Sequence, residues 1–377
     1  MPTVPTEQGF KLAGRLRSLD VFRGLTVAAM VIVNNPGDWG AVYAPLLHAE
    51  WDGWTPTDLI FPFFLFIVGV SLTFGGQNRQ SAGRVLRRGA VLWGLGLFMA
   101  AFPFFRLSTL RIPGVLARIA WSYVATWAIV RAIDDDSPAV RRRRAAVVVA
   151  ILLIGYWIAL TWVPVPGGSA GNRSPAGNLG AWLDRALMRG HLYRTDWDPE
   201  GLLSTAPAIG TTLLGVIAGW WMQETESPRR RVRGLLSAGL VSVLLGLLWD
   251  SVFPINKSLW TSSYVLFTGG LAAVCLAVCY WFLDLRVSEA TARAFEPFVV
   301  LGRNAILLFV VSGLFAKTVM YLKWPDPSLS LGRWIYTAAF LPLASPRTAS
   351  LLFALANLAI LYSLLAYLHR RRVYLSV

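Results

Sequence analysis

Charge is what this chain has least of. Only 15% of its 377 residues are Asp, Glu, Lys or Arg, against about 25% in soluble domains. Meanwhile 55% are hydrophobic and the mean hydropathy is +0.54. A water-facing domain could not cover that much apolar surface, so the soluble globular class is excluded. Acidic residues are scarcer still, 20 against 35 basic ones, for a net charge of +15. A nucleic-acid-binding protein would gather that excess into one patch. Here it recurs in short clusters between apolar runs, the mark of membrane topology, and no nucleic-acid partner is expected. Cysteine is limited to Cys275 and Cys279, one helical turn apart in an apolar segment. That spacing suits apolar packing and holds a disulfide poorly, so neither an oxidised scaffold nor a metal site is implied. The first 18 residues are polar, and the apolar run after them carries Asp20 and Arg23 without a small-residue cleavage site. A cleaved secretory leader is therefore not expected.

What is present in quantity is long apolar runs. A bilayer crossing needs about 20 mostly apolar residues, and ten segments qualify: 19–34, 58–75, 89–105, 112–130, 145–163, 206–222, 234–250, 263–284, 297–318 and 347–369. The run 331–344 is too short to cross and reads as interfacial or re-entrant. Basic residues then set orientation. Twenty-one lie in the tail and connections on one side, including Arg84, Arg87, Arg88, Arg141 to Arg144, Arg229 to Arg231 and Arg370 to Arg372; eleven lie on the other. The rich side is cytoplasmic by the positive-inside rule. The expected fold is an all-α polytopic membrane helix bundle of about ten transmembrane helices with both termini cytoplasmic. It forms a single unit over 1–377, with a cytoplasmic tail at 1–18 and an external loop at 164–205.

The external side holds the unusual residues. From Asn34 to Asp58 there is no Lys or Arg, but there are Asp38, Glu50, Asp52, Asp58 and His48. The loop 164–205 ends in Asp196, Trp197, Asp198, Pro199, Glu200 and Gly201. Carboxylates with tryptophan faces suit a sugar or amino sugar; solvated loop acids beside interface tryptophans are the plainer account. Ionisable groups inside spans are costly and are usually paired or functional. Asp20 and Arg23, three apart, can pair on one helix face. Arg118 lies seven residues into the fourth span after Arg111, on the same face and roughly 10 Å deep; a guanidinium there needs an anion, a carbonyl or a wet cavity. Arg303 and Asn304 open the ninth span. His48 lies between Asn34-Asn35 and a Trp-Asp-Gly-Trp turn, with Asp58 at the next span's mouth. An imidazole among carboxylates has the basicity for proton transfer near neutral pH, or it is surface decoration.

These residues fall into recognisable blocks. The run 15–24 (Arg-Leu-Arg-Ser-Leu-Asp-Val-Phe-Arg-Gly), Val33-Asn34, the run 48–62 from His48 to Pro62, and 111–118 (Arg-Ile-Pro-Gly-Val-Leu-Ala-Arg) resemble the heparan-alpha-glucosaminide N-acetyltransferase-like transmembrane acyltransferases, in the family's order. Asp198 to Thr205 and Leu301 to Ile306 are weaker matches. The resemblance implies transfer of acetyl from cytoplasmic acetyl-CoA, a co-substrate with no metal needed, to an amino sugar across the membrane. It places the family's active-site histidine on His48 and its active-site asparagine on Asn34. Asp58, or Asp52, would orient the imidazole or hold an acceptor ammonium. Glu50, Trp51, Asp52, Asp198 and Glu200 are the expected acceptor contacts. Arg23, Arg118, Arg303 and Asn304 are the expected coenzyme A contacts. The sequence begins without the large luminal part of the animal enzyme, so a small glucosamine-type or cell-envelope glycan acceptor is expected, in a bacterial inner membrane, with a homodimer permitted. A transporter of a sugar or cationic solute uses the same spans and acidic mouths, but no inverted repeat or matched pair of broken helices supports it.

Overall fold

The structure is a computed structural model and describes residues 16–74 and 80–373; most of the expected tail, and Arg79 of the first basic loop, lie outside the described residues. Every regular element among the described residues is a helix. The main ones are α1 (Arg17–Asn34), α2 (Ile60–Thr73), α3 (Ala82–Ala101), α4 (Val115–Ala132), α5 (Pro138–Trp162), α6 (Leu179–Met188), α7 (Thr205–Glu224), α8 (Pro228–Asp250), α9 (Ser262–Tyr280), α10 (Glu289–Arg303), α11 (Ala305–Tyr321), α12 (Leu331–Ile335) and α13 (Pro346–Arg370). Each of the ten apolar segments overlaps one of these helices, except the ninth, which overlaps two, α10 and α11. Three of them, α5, α8 and α13, open on Ser-Pro, where the ring's fixed φ favours a first helical residue and its missing N–H costs nothing. α3, α5 and α8 start six or seven residues before their apolar runs because they take in basic clusters. Long arginine side chains reach outward from a helix end, so the helix need not stop where the apolar run does.

Among the described residues, five helices are long and apolar enough to cross a membrane: Pro56–Thr73, Pro138–Trp162, Pro228–Asp250, Ser262–Leu285 and Pro346–Arg370. A sixth crossing is available if α10 and α11, bent by 75° at Asn304, act together. The ninth segment is thus a broken helix and not the continuous span its hydropathy predicts. α5, α8 and α13 form the outer shell; only 28%, 22% and 22% of their most apolar windows is buried, and Ile151, Leu244, Leu248 and Ile360 stand exposed on them. α1, α4 and α7 are mostly buried and face protein. A helix screened from lipid can carry threonine, arginine and aspartate, which is why these three are less apolar than an isolated span must be. The segment at 331–344 folds as α12 followed by two short irregular turns, in keeping with a run too short to cross.

Small residues bring the central helices together. α1 packs on α10, α2 on α7 and α8 on α9. A Cβ at Gly69 would overlap the Thr212 carbonyl oxygen, and one at Gly215 the Phe66 carbonyl oxygen. Such close backbone approach is the usual basis of helix association in membranes. Asp284 caps α1 from a distant part of the chain, accepting from the Arg17 and Ser18 amides at 3.2 and 3.0 Å. Cys275 and Cys279 sit on α9, packed against the apolar cluster shared by α1, α2, α7 and α9.

Candidate active site

At the end of the bundle where α1 finishes and α2 begins, a cavity of about 350 Å³ opens between α1, α2, α3, α4 and α11. Its inner wall is apolar: Val27 and Met30 of α1, Phe61 and Phe64 of α2, Leu92, Leu116, Ile119, and Ile306 and Phe309 just beyond the break at Asn304. Its rim is polar and aromatic, with Asn34, His48, Trp51, Asp58, Arg111, Tyr193, Trp197, Glu200 and Lys257.

Asp58 organises that rim. It is the third residue of a turn beginning at Pro56, and with Thr55 it forms a reciprocal cap. Its Oδ2 accepts from the Ala49 and Thr55 amides, both at 3.0 Å, and from Thr55 Oγ1 at 3.2 Å. That leaves Oδ1 for His48 Nδ1, at 2.7 Å. The Asp58 side chain is 1% exposed and that of His48 is 50% exposed, so the carboxylate is fixed and the imidazole is presented to the cavity. Below them, Tyr264 donates to the Asp58 carbonyl at 2.5 Å. Lys257 Nζ lies 3.0 and 3.2 Å from His48 Nδ1 and Nε2, and 3.6 Å from Asp58 Oδ1. Burial pushes the Lys257 ammonium below the usual lysine range, while Asp58 and Glu200 oppose that fall. Asn34, the last residue of α1, is exposed on the same cavity.

The opposite rim is an ion-pair platform. Arg111 donates to both Asp198 oxygens, at 2.8 and 2.6 Å, and also to Glu200, and lies over the Tyr193 ring at 4.8 Å. Burial opposes the Arg111 charge, but the two carboxylates outweigh it and hold its pKa above the ordinary arginine range. Asp198 also accepts from the Tyr193 and Glu200 amides; with every lone pair engaged, it braces the rim. Glu200 lines the cavity. Trp51 and Trp197 meet edge to face at 5.4 Å, and Trp51 Nε1 donates to the Arg173 carbonyl. The loop 164–205 that supplies Trp197 and Glu200 carries a helix, α6, capped by Asn178 and tied to Leu202 through Asp184.

Of the residues the sequence singles out, Asn34, His48, Trp51, Asp58 and Glu200 converge on one cavity. Glu50 is exposed and off the cavity wall. Asp52 also turns away, accepting from Asn256 Nδ2 at 3.0 Å and so binding its loop to the α8–α9 connection. Arg118 is fully buried and away from the cavity wall. It donates to the Gly201 carbonyl at 3.1 Å and to Ser204, and lies over Trp260. α4 starts only at Val115 because Pro113 disfavours helix in the residue before it, so Arg111 is on the connection and Arg118 one turn into the helix. Of the three partners that depth demands, the chain supplies a carbonyl. Arg23 pairs with Asp20 at 3.5 Å, donates to Ser71 at 2.7 Å and reaches the Gly302 carbonyl at 3.5 Å. It therefore meets the Arg303–Asn304 break, one turn beyond Val27, with none of the three on the cavity wall. Lys257, Tyr193 and the pairing role of Arg111 are absent from the sequence-based set. A lone lysine in an 11-residue connection gives no sign of what it faces.

Comparison with known proteins places this geometry. A model of the heparan-alpha-glucosaminide N-acetyltransferase catalytic family matches residues 15–247, which include Asn34, His48, Asp58, Arg111 and Glu200. Heparan-alpha-glucosaminide N-acetyltransferase from Homo sapiens is 29% identical over 365 residues, covering 81% of this chain and 53% of that protein. The Mus musculus protein of the same name is 30% identical over 359 residues, covering 79% and 53%. The chain thus spans about half the length of these curated relatives. With more than half of its residues inside the family match, the chain belongs to the heparan-alpha-glucosaminide N-acetyltransferase catalytic family.

Proposed function

We propose that this chain is a transmembrane acetyltransferase moving acetyl from acetyl-CoA on the basic, cytoplasmic side to the amine or hydroxyl of a glucosamine-type sugar on the other side. The observation that carries the reading is the His48–Asp58 pair on a cavity shared with Asn34. Asp58 accepts from Nδ1 and so leaves Nε2 toward the cavity. Such an imidazole removes the proton from an attacking nitrogen or hydroxyl, or carries the acetyl group itself. Asn34 supplies an uncharged donor where charge develops on the carbonyl oxygen. Trp51 and Trp197 give the aromatic faces a sugar ring stacks on, and Glu200 a carboxylate for its hydroxyl or ammonium groups.

Acetyl-CoA is the activated acyl donor, and the apolar inner wall fits an extended pantetheine-like arm. The same α1 face that carries Met30 and Val27 continues to Arg23, beside Arg303 and Asn304, which would meet the phosphates. Ten crossings, cytoplasmic termini, one unit over 1–377 and a bacterial inner membrane complete the reading; the family names heparan, and a smaller envelope glycan is the acceptor proposed. The test is transfer of labelled acetyl from acetyl-CoA to a panel of amine and N-blocked sugars by purified protein, beside His48→Ala. Product from the wild type alone is expected; equal product from His48→Ala overturns the assignment.

A further inference from the structure

Lys257 reaches His48 from 209 residues away in the chain, and it is held there. The turn that carries it is pinned by the fully buried Asn256. That residue's Oδ1 accepts from the Leu259 amide at 2.8 Å, its Nδ2 donates to Asp52, and its own amide donates to Thr261 Oγ1 at 3.0 Å. The Gly53 amide adds a bond to the Ile255 carbonyl at 2.7 Å. The ammonium is thus placed by a braced turn against the loop that carries His48.

An ammonium has donors and no acceptor, and so has an imidazolium. With Nζ 3.0 Å from Nδ1 and 3.2 Å from Nε2, the ammonium lies against the ring without lining up on either in-plane lone pair, so it acts on His48 as a nearby positive charge and disfavours a second one on the imidazole. Nδ1 is the one facing Asp58 Oδ1 and carries the proton given to it; Nε2 is then the free one. A buried carboxylate also needs a positive partner, and two groups are in place to serve Asp58: an imidazolium or the Lys257 ammonium at 3.6 Å. We propose that Lys257 is a positioning residue, the counter-ion of Asp58, which leaves His48 neutral and its Nε2 able to accept a proton. The other charged groups facing this cluster are Arg111 and Glu200 across the cavity, already paired with each other, and Asp52, engaged by Asn256. None of them takes over from Lys257. Its flexible four-carbon chain lets the ammonium move away from the ring for an incoming acceptor and stay beside Asp58. The catalytic consequence rests on the His48 reading above; the charge arrangement does not.

The test uses full-length protein in lipid nanodiscs with isotope-labelled histidine. The chain has three histidines, and the His48 signal is the one lost in His48→Ala. Its protonation is followed against pH by NMR in wild type, Lys257→Met and Lys257→Arg, with His191 and His369 reporting that each variant is folded. Lys257→Met is expected to keep His48 protonated to a pH about one unit higher than in wild type, and Lys257→Arg to follow the wild type. Acetyl transfer by Lys257→Met should fall about tenfold on the acid side and recover at alkaline pH. Coincident His48 curves in wild type and Lys257→Met overturn the proposal whatever the transfer assay gives. A shifted curve in a protein that transfers no acetyl leaves the counter-ion in place and removes the acetyltransferase reading instead.

Discussion

Asp58 has one oxygen committed to backbone and threonine donors, so only Oδ1 is left to act on His48. Replacing it by Asn keeps the size of the side chain but removes the charge that fixes the imidazole's orientation. Asp58→Asn is expected to lower the transfer rate by about 10²-fold or more while leaving the fold intact, measured as the initial rate at saturating acetyl-CoA. If His48 carries the acetyl group, incubation without acceptor should leave a hydroxylamine-labile acetyl on His48, read by peptide mass spectrometry; an unmodified His48 points to the base role. At this scale, the sequence revealed what local spacing determines. His48 and Asp58 are ten residues apart across a turn that Thr55 and Pro56 shape, so their closeness was legible, but spacing alone left Asp58 and Asp52 equally open as the partner of the imidazole. The direction of Asp52, Glu50 and Asp198 was not, because an acidic residue in a loop carries no mark of whether it faces a ligand or an amide. Lys257 was invisible for the same reason.

Helix existence followed directly from apolar length, because a chain in lipid must close its backbone hydrogen bonds within each span. Helix ends did not, because the basic clusters extend the helices past the apolar runs. The break at Asn304 also escaped: no proline stands there, and it is the packing of α10 on α1 at Gly24 and Gly302 that fixes the bend's surroundings. Two predictions belong here. Gly215→Ala forces a methyl into the Phe66 carbonyl and should cost about 1–3 kcal/mol of stability, whereas Gly94, with nothing near its Cβ position, should accept alanine without loss. Apparent unfolding temperatures of the two variants check this. Asp184 of α6 is the second. Burial raises its pKa to about 6, from 3.8. Its folded form therefore binds the proton more tightly than the unfolded chain does. The stability tied to that proton is complete below about pH 4 and is lost as pH rises through 6. Asp184→Asn keeps an acceptor for the Leu202 amide and removes the buried charge, so it should raise stability at pH 7.5 by about 1–2 kcal/mol and leave it unchanged at pH 4. Equal shifts at both pH values would contradict the assignment.

Across the whole molecule, apolar shell and polar interior are segregated: α5, α8 and α13 outside, with α1, α4 and α7 carrying the arginines and threonines within. That arrangement could be anticipated only in part, since hydropathy registers a helix but not which neighbours screen it. The charge asymmetry yields a sidedness that can be tested in a background free of Cys275 and Cys279. Thr195→Cys should react with an impermeant maleimide from the His48 side, and Asp135→Cys only from the other; labelling of both from one side would refute the ten-crossing topology. Most direct is transfer across a closed membrane. Vesicles sealed with labelled acetyl-CoA on the Arg141–Arg144 side and glucosamine on the His48 side should accumulate N-acetylglucosamine outside with the wild type and none with His48→Ala. Equal accumulation with both proteins would contradict the account.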